Sequence, residues 1–145
     1  MSEITAGFRK ILSSPVIYDF FQRLVGANKL RDLYVRKYIR PADHACVLDI
    51  GCGTGEILEF LPTSVEYHGY DLSRDYIQAA TERYGGRGQW HCASVSDMKV
   101  KEYDTFDIVM ANGVLHHLED KEVSQLAAAA YRALNPGGRF CSFDG

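Results

Sequence analysis

The sequence predicts an α/β fold, a doubly wound and mainly parallel sheet preceded by N-terminal helices, and three observations carry that reading. Short apolar runs alternate with helical-period segments from Ala45 to Asp144. One run breaks into a glycine-rich turn, Val47-Leu48-Asp49-Ile50-Gly51-Cys52-Gly53-Thr54-Gly55-Glu56. Right-handed crossovers between parallel strands leave few topologies for such alternation, and the doubly wound sheet is the natural one. In that architecture a ligand lies at the strand ends where the winding reverses.

The elements follow in chain order. Ser14-Pro15 is a favourable cap and first helical position, and Val16, Ile17, Phe20, Phe21 and Leu24 fall on one side of the helix it begins. Leu30, Leu33, Tyr34 and Tyr38 predict a second helix ending before Pro41. Residues 1–41 are therefore expected to form a helical segment, and residues 42–145 the sheet-bearing part of one compact unit. Tyr18 and Tyr34 read as core aromatics at helical spacing, and Lys29, Arg31, Arg36, Lys37 and Arg40 as a solvated helix face.

Val47, Leu48 and Ile50 suit a strand buried on both faces, and Asp49, the one charge among them, needs a partner. Gly51, Gly53 and Gly55 remove side chains where the backbone turns and approaches a ligand, and a helix is expected to open at once. A dinucleotide fingerprint wants its third glycine at 56, where this chain has glutamate, so a nicotinamide cofactor and an oxidoreductase are disfavoured. Acids at both ends of the loop repel a pyrophosphate but suit a ligand carrying an amino group and a sulfonium, as S-adenosylmethionine does.

A second strand, Glu66-Tyr67-His68-Gly69-Tyr70-Asp71, leads to Leu72-Ser73 and a helix with Tyr76, Ile77 and Ala80 on one face. Asp71, about 20 residues past the first loop glycine, is placed to accept from two ribose hydroxyls, with helix capping as the bland alternative. A third strand runs through Gln89-Trp90-His91-Cys92 to Ala93, Ser94 and Val95. The fourth, Phe106 to Asn112, runs into Gly113-Val114-Leu115-His116-His117-Leu118. Val123, Leu126, Ala127, Ala130 and Leu134 then recur at helical spacing, Asn135-Pro136-Gly137-Gly138 stops that helix, and Arg139 to Phe143 extends again.

Leu48 to Glu56, followed in order by Asp71-Leu72 and the Phe106–Leu118 rim, resembles the class I S-adenosylmethionine-dependent methyltransferases, whose fold is Rossmann-like. The resemblance implies that Asp49, Gly51, Cys52, Gly53 and Gly55 lie along the methionine part of the cofactor, with Asp49 helping to hold its amino group. Asp71 would take the ribose, and Leu72 would face the adenine. Ser94 and Val95 align with the adenine edge, where many members carry an acid. Asn112 lies at the rim where donor and acceptor meet. Residues 1–41 correspond to a lid in many members.

The rim wording narrows the acceptor. Base and amide methyltransferases carry an Asn or Asp, two prolines and an aromatic where this chain has Asn112-Gly113-Val114-Leu115, and no cysteine follows a proline as pyrimidine-carbon chemistry needs. A small-molecule acceptor is expected, with a non-catalytic cofactor-binding module as the alternative. No catalytic residue is assigned. His116 and His117, with Asp120, form a cluster whose default is packing, a general base being the alternative, and no ligand set of recognisable spacing calls for a metal.

Composition agrees with a single globular domain. The net charge of −3 argues against nucleic acid, no apolar stretch has membrane-spanning length, and Cys46, Cys52, Cys92 and Cys141 read as reduced thiols. A cytoplasmic protein is expected, with Cys52 the one thiol near enough the cofactor to react. The resemblance also implies two strands beyond Gly145, one of them antiparallel. The chain is thus expected to be truncated, with an exposed fifth strand open to self-association.

Overall fold

The computed structural model describes residues 17–94, 97 and 105–144, with the backbone alone for residues 17–25. Five strands form one parallel sheet: β1 (Cys46–Ile50), β2 (Glu66–Asp71), β3 (Gly88–Cys92), β4 (Phe106–Asn112) and β5 (Leu134–Phe143), in the spatial order β3-β2-β1-β4-β5. The chain winds outward from β1 to β3, returns to β4 beside β1, and winds outward again. The reversal therefore falls between β1 and β4, as a doubly wound sheet requires.

The central strands are the apolar ones. All of β1 is buried, Asp49 included, and β4 is buried from Ile108 to Ala111. Alternate side chains feed two cores, one on each face. On one face Cys46, Leu48, Ile50, Tyr70, Phe106 and Ala111 pack with Leu126, Ala129, Ala130 and Ala133 of α3 (Asp120–Ala133). On the other, Val47, Tyr67, Ile108 and Met110 pack with Val35, Ile39, Ile57, Leu58, Leu61 and Val65. The helix α2 (Arg74–Tyr84) starts at Ser73, whose Oγ accepts the Tyr76 N–H at 3.3 Å.

Three local expectations are corrected. The two N-terminal helices are one continuous helix, α1 (Ile17–Tyr34), running into a wide π-type turn at Val35–Ile39. Gly26 is the weakest helix former where a break was expected, and a single glycine costs about 1 kcal/mol without ending a helix. Ser14-Pro15 and Val16 lie outside the described residues. The helix expected after the glycine loop is a single 3₁₀ turn, Glu56–Glu59, so little helix dipole points back at the loop. Asn135-Pro136-Gly137-Gly138 follows the end of α3 as expected but falls within the bounds of β5, as a bulge around which the register passes from Leu134 opposite Phe106 to Arg139 opposite Ile108, with Gly137 at φ +80°.

Long-range polar contacts tie α1 to the sheet. Arg31 pairs with Glu56 at 3.1 Å, and the Arg139 guanidinium donates to the Tyr38, Ile39 and Arg40 carbonyls that the wide turn leaves open. Arg36 pairs with Asp32 at 2.9 Å, so two of the five basic residues of this segment have acidic partners, one within the segment and one in the turn after the glycine loop. Among the described residues no helix is long and apolar enough to cross a membrane.

Candidate functional site

The site is built at the C-terminal ends of β1, β2 and β4. Gly51, Gly53 and Gly55 take φ of +71°, +57° and +77°, which turns the chain away from β1 in three left-handed steps. A Cβ on Gly51 would lie 2.4 Å from Val114 Cγ2, and one on Gly55 would lie 2.4 Å from the Trp90 ring, so those two glycines are needed for packing as well as for φ. Among the described residues nothing lies within 4 Å of where a Cβ on Gly53 would stand, the geometry a close-lying ligand requires. The loop is pinned to β2: the Gly51 and Cys52 N–H groups donate to the Tyr70 carbonyl at 2.8 and 3.0 Å.

Asp71 joins loop and strand. Its Oδ2 accepts the Gly53 N–H at 2.9 Å and its Oδ1 accepts the Ser73 N–H at 2.8 Å. Capping and ligand binding are therefore not alternatives. Two backbone donors orient the carboxylate and leave it further acceptor positions, because an ionised carboxylate has about four. Asp71 lines a cavity of about 270 Å³ with Gly51, Leu72 and Ser94 from the sequence expectation, while Ile50, Tyr70, Val114 and Leu126 give it apolar walls. Leu72 leaves 77% of its surface exposed there, an apolar face with nothing over it among the described residues.

Asp49 sits beneath the loop, 3% exposed, and its Oδ2 accepts the Tyr67 hydroxyl at 2.6 Å. Burial pushes its carboxyl up to about 7, the Tyr67 hydrogen bond opposes that, and the Asp71 charge adds to it. Burial, together with the nearby Asp49 and Asp71 charges, also holds the Cys52 thiol far above its ordinary value. The expected reactivity of Cys52 is thereby corrected, since its nucleophilic thiolate form is suppressed.

Asp49, Cys52, Gly53, Gly55 and Asn112 do not line the cavity that holds Asp71. Val95 lies outside the described residues. Asn112 ends β4 with its Oδ1 buried and without a partner among the described residues, and the same holds for the Tyr34 hydroxyl. Tyr34 packs its ring 5.7 Å from Phe143, and burial raises its hydroxyl well above the ordinary range, with Cys141, Asp49 and Asp144 adding. Among the described residues these two buried polar groups at one end of the sheet leave room for a polar partner. Sequence reading took Tyr34 for core, and it overlooked Glu122 and Gln125 of α3, which face the cavity. Nothing in their spacing separates them from other solvent-facing helical residues.

The histidines are not packing residues. His116 and His117 are both exposed, with rings 3.9 Å apart. Among the described residues the hydrogen-bonding carboxylate on His116 is Asp144, at 2.7 Å from Nδ1, not Asp120. That hydrogen bond holds the Asp144 carboxyl below its ordinary value.

A glycine loop at a reversal point, with a carboxylate on the next strand and no third glycine at 56, forms a crevice at the strand ends, and comparison with known proteins decides the family. Residues 47–138 match the family described as "Methyltransferase domain". The chain belongs to that family. It is 31% identical over 102 residues to a ubiquinone/menaquinone biosynthesis C-methyltransferase of Desulfotalea psychrophila, covering 68% of this chain and 40% of the relative. A human N-terminal Xaa-Pro-Lys N-methyltransferase is 25% identical over 118 residues, covering 77% of this chain and 52% of the relative. Among solved structures, a Rickettsia typhi protein in complex with S-adenosylhomocysteine superposes with a TM-score of 0.62 at 26% identity, over 70% of this chain and 22% of that one. The chain thus spans about half the length, or less, of these curated relatives.

S-adenosylmethionine is the cofactor of this methyltransferase family, and the crevice fits it. An apolar wall with the oriented Asp71 carboxylate suits a nucleoside, open space beside Gly53 among the described residues suits a close-lying chain, and a buried Asn112 Oδ1 without a partner among the described residues suits a ligand that brings a donor.

Proposed function

We propose that this chain is the donor-binding module of an S-adenosylmethionine-dependent methyltransferase that transfers methyl directly to a small-molecule acceptor. The observation that carries the reading is the Asp71 carboxylate, held by the Gly53 and Ser73 N–H groups at the mouth of an apolar cavity. The bound cofactor supplies an electrophilic methyl on a sulfonium. Asp71 accepts from the ribose hydroxyls, Leu72 and Ser94 flank the adenine, and Gly51, Cys52, Gly53 and Gly55 pass the methionine tail toward Asp49 and Asn112. Asp49 carries its negative charge most readily when an ammonium lies near, so the ligand and the buried carboxylate stabilise each other. No covalent intermediate is needed, and rate comes from aligning the acceptor in line with the methyl and excluding water. The segment 1–41 would serve that exclusion as a lid.

His116, oriented by Asp144 at the rim, is placed to take a proton from acceptors that must lose one. Support for a small acceptor is the rim sequence Asn112-Gly113-Val114-Leu115, which lacks the base-methylating pattern. The four free thiols accord with a reducing, cytoplasmic setting. Calorimetry with S-adenosylhomocysteine and with NAD tests the donor: tight binding of the first alone is expected, and preference for NAD overturns it. Transfer of labelled methyl across metabolite and peptide panels tests the acceptor, and peptide labelling alone refutes the small-molecule reading.

A further inference from the structure

We propose that Cys46, Glu66 and His68 form a site for a thiophilic divalent metal ion, zinc by ligand chemistry, that clips β1 to β2 at the end of the sheet opposite the crevice. The register brings these residues together. Cys46 lies directly opposite Glu66 and Leu48 opposite His68, and the period of two puts residues 46, 66 and 68 on one face. The Cys46 Sγ, a Glu66 carboxylate oxygen and a His68 ring nitrogen all lie within 4.8 Å of one another. The Glu66 Oε1 to His68 Nε2 separation is 3.3 Å. Ligands on a tetrahedral ion with bonds of roughly 2.0–2.3 Å stand roughly 3.3–3.8 Å apart, so closing the set asks only for small side-chain rotations.

Two of the three side chains are already held. Cys46 is 8% exposed within the core, and His68 sits edge-on to the Phe106 ring at 5.1 Å and parallel to the His91 ring at 6.0 Å. The exposed Glu66 is free to swing. The surrounding charge favours a cation. Asp107 Oδ2 accepts the Cys46 N–H at 2.8 Å and its Oδ1 accepts the Asn135 amide at 3.1 Å. Among the described residues no Lys or Arg forms an ion pair with Glu66 or Asp107. A divalent ion binds the Cys46 sulfur as thiolate, and the thiol proton leaves to solvent. A sulfur, an imidazole nitrogen and a carboxylate are the ligand types zinc accepts, with water in the fourth position.

The site is separate from the crevice. Cys46 begins β1 and Ile50 ends it, roughly 13 Å away at about 3.3 Å per residue. The metal therefore braces the sheet and takes no part in methyl transfer. Sequence reading expected no metal because the ligands stand 20 and 22 residues apart, a spacing that only parallel pairing converts into proximity.

The test is titration of the purified, metal-stripped chain with cobalt(II), followed by displacement with zinc(II). Expected are one ion per chain, a thiolate-to-cobalt charge-transfer absorption with the visible bands of a tetrahedral site, and a rise in melting temperature with zinc. Cys46→Ser should abolish the charge-transfer absorption. Glu66→Gln, at an exposed position that cannot compromise folding, and His68→Gln should each weaken binding tenfold or more, with folding checked by circular dichroism. Absence of the absorption in the unmodified chain overturns the proposal. So does its persistence in Cys46→Ser, unchanged affinity in Glu66→Gln, or loss of binding in His116→Ala/His117→Ala.

Discussion

Asp49→Asn isolates the cost of a charge buried under the glycine loop. In the folded chain the carboxyl titrates near 7, against an ordinary value of 3.8. The folded state therefore holds this proton more tightly than the unfolded chain does, and stability falls as pH rises between those values. The shift corresponds to on the order of 4 kcal/mol, fully lost once the pH is above 7. An asparagine keeps the shape and still accepts the Tyr67 hydroxyl, but it carries no charge. Urea unfolding of both proteins from pH 4 to pH 8 at fixed ionic strength reads the difference directly. The variant should gain on the parent steadily across that window, by a few kcal/mol at pH 8, while losing about tenfold or more in S-adenosylhomocysteine affinity through the missing charge. Stability curves that run parallel would refute the argument, because they would mean that Asp49 ionises freely in the fold.

Asp71→Asn leaves either the Gly53 or the Ser73 N–H without its acceptor and removes the charge from the cavity mouth; calorimetry should show at least a tenfold loss of cofactor-product affinity, with stability down by about 1–3 kcal/mol. Gly51→Ala places a methyl 2.4 Å from Val114 Cγ2 at φ +71°, so the melting temperature should fall, and adding Val114→Ala should recover only the steric share. Leu48→Ala, fully buried on the central strand, should cost about 2–5 kcal/mol in chemical denaturation. Asp144→Asn should slow transfer to acceptors that must be deprotonated while leaving cofactor-product binding unchanged, as single-turnover kinetics and calorimetry together would show.

Sequence patterning was most legible where a short stretch decides its own structure. The apolar run of β1, the positive-φ demand of Gly51, Gly53 and Gly55, and the Ser73 cap are local, and each stands where the sequence puts it. Where the outcome depends on what lies opposite, local reading failed: His116 finds Asp144 rather than Asp120, four residues along.

By itself, then, the sequence determined the doubly wound class, the glycine loop at the reversal of the winding and the acids at the ends of the first two strands, because periodicity and backbone preference act over a few residues. Only the tertiary structure decided how those acids behave and what surrounds them. Burial raises the Asp49 carboxyl, strand-end geometry gives Asp71 two backbone donors, and parallel register gathers Cys46, Glu66 and His68. Solvation and contact across strands are properties of the packed sheet, and no segment of the chain carries them alone.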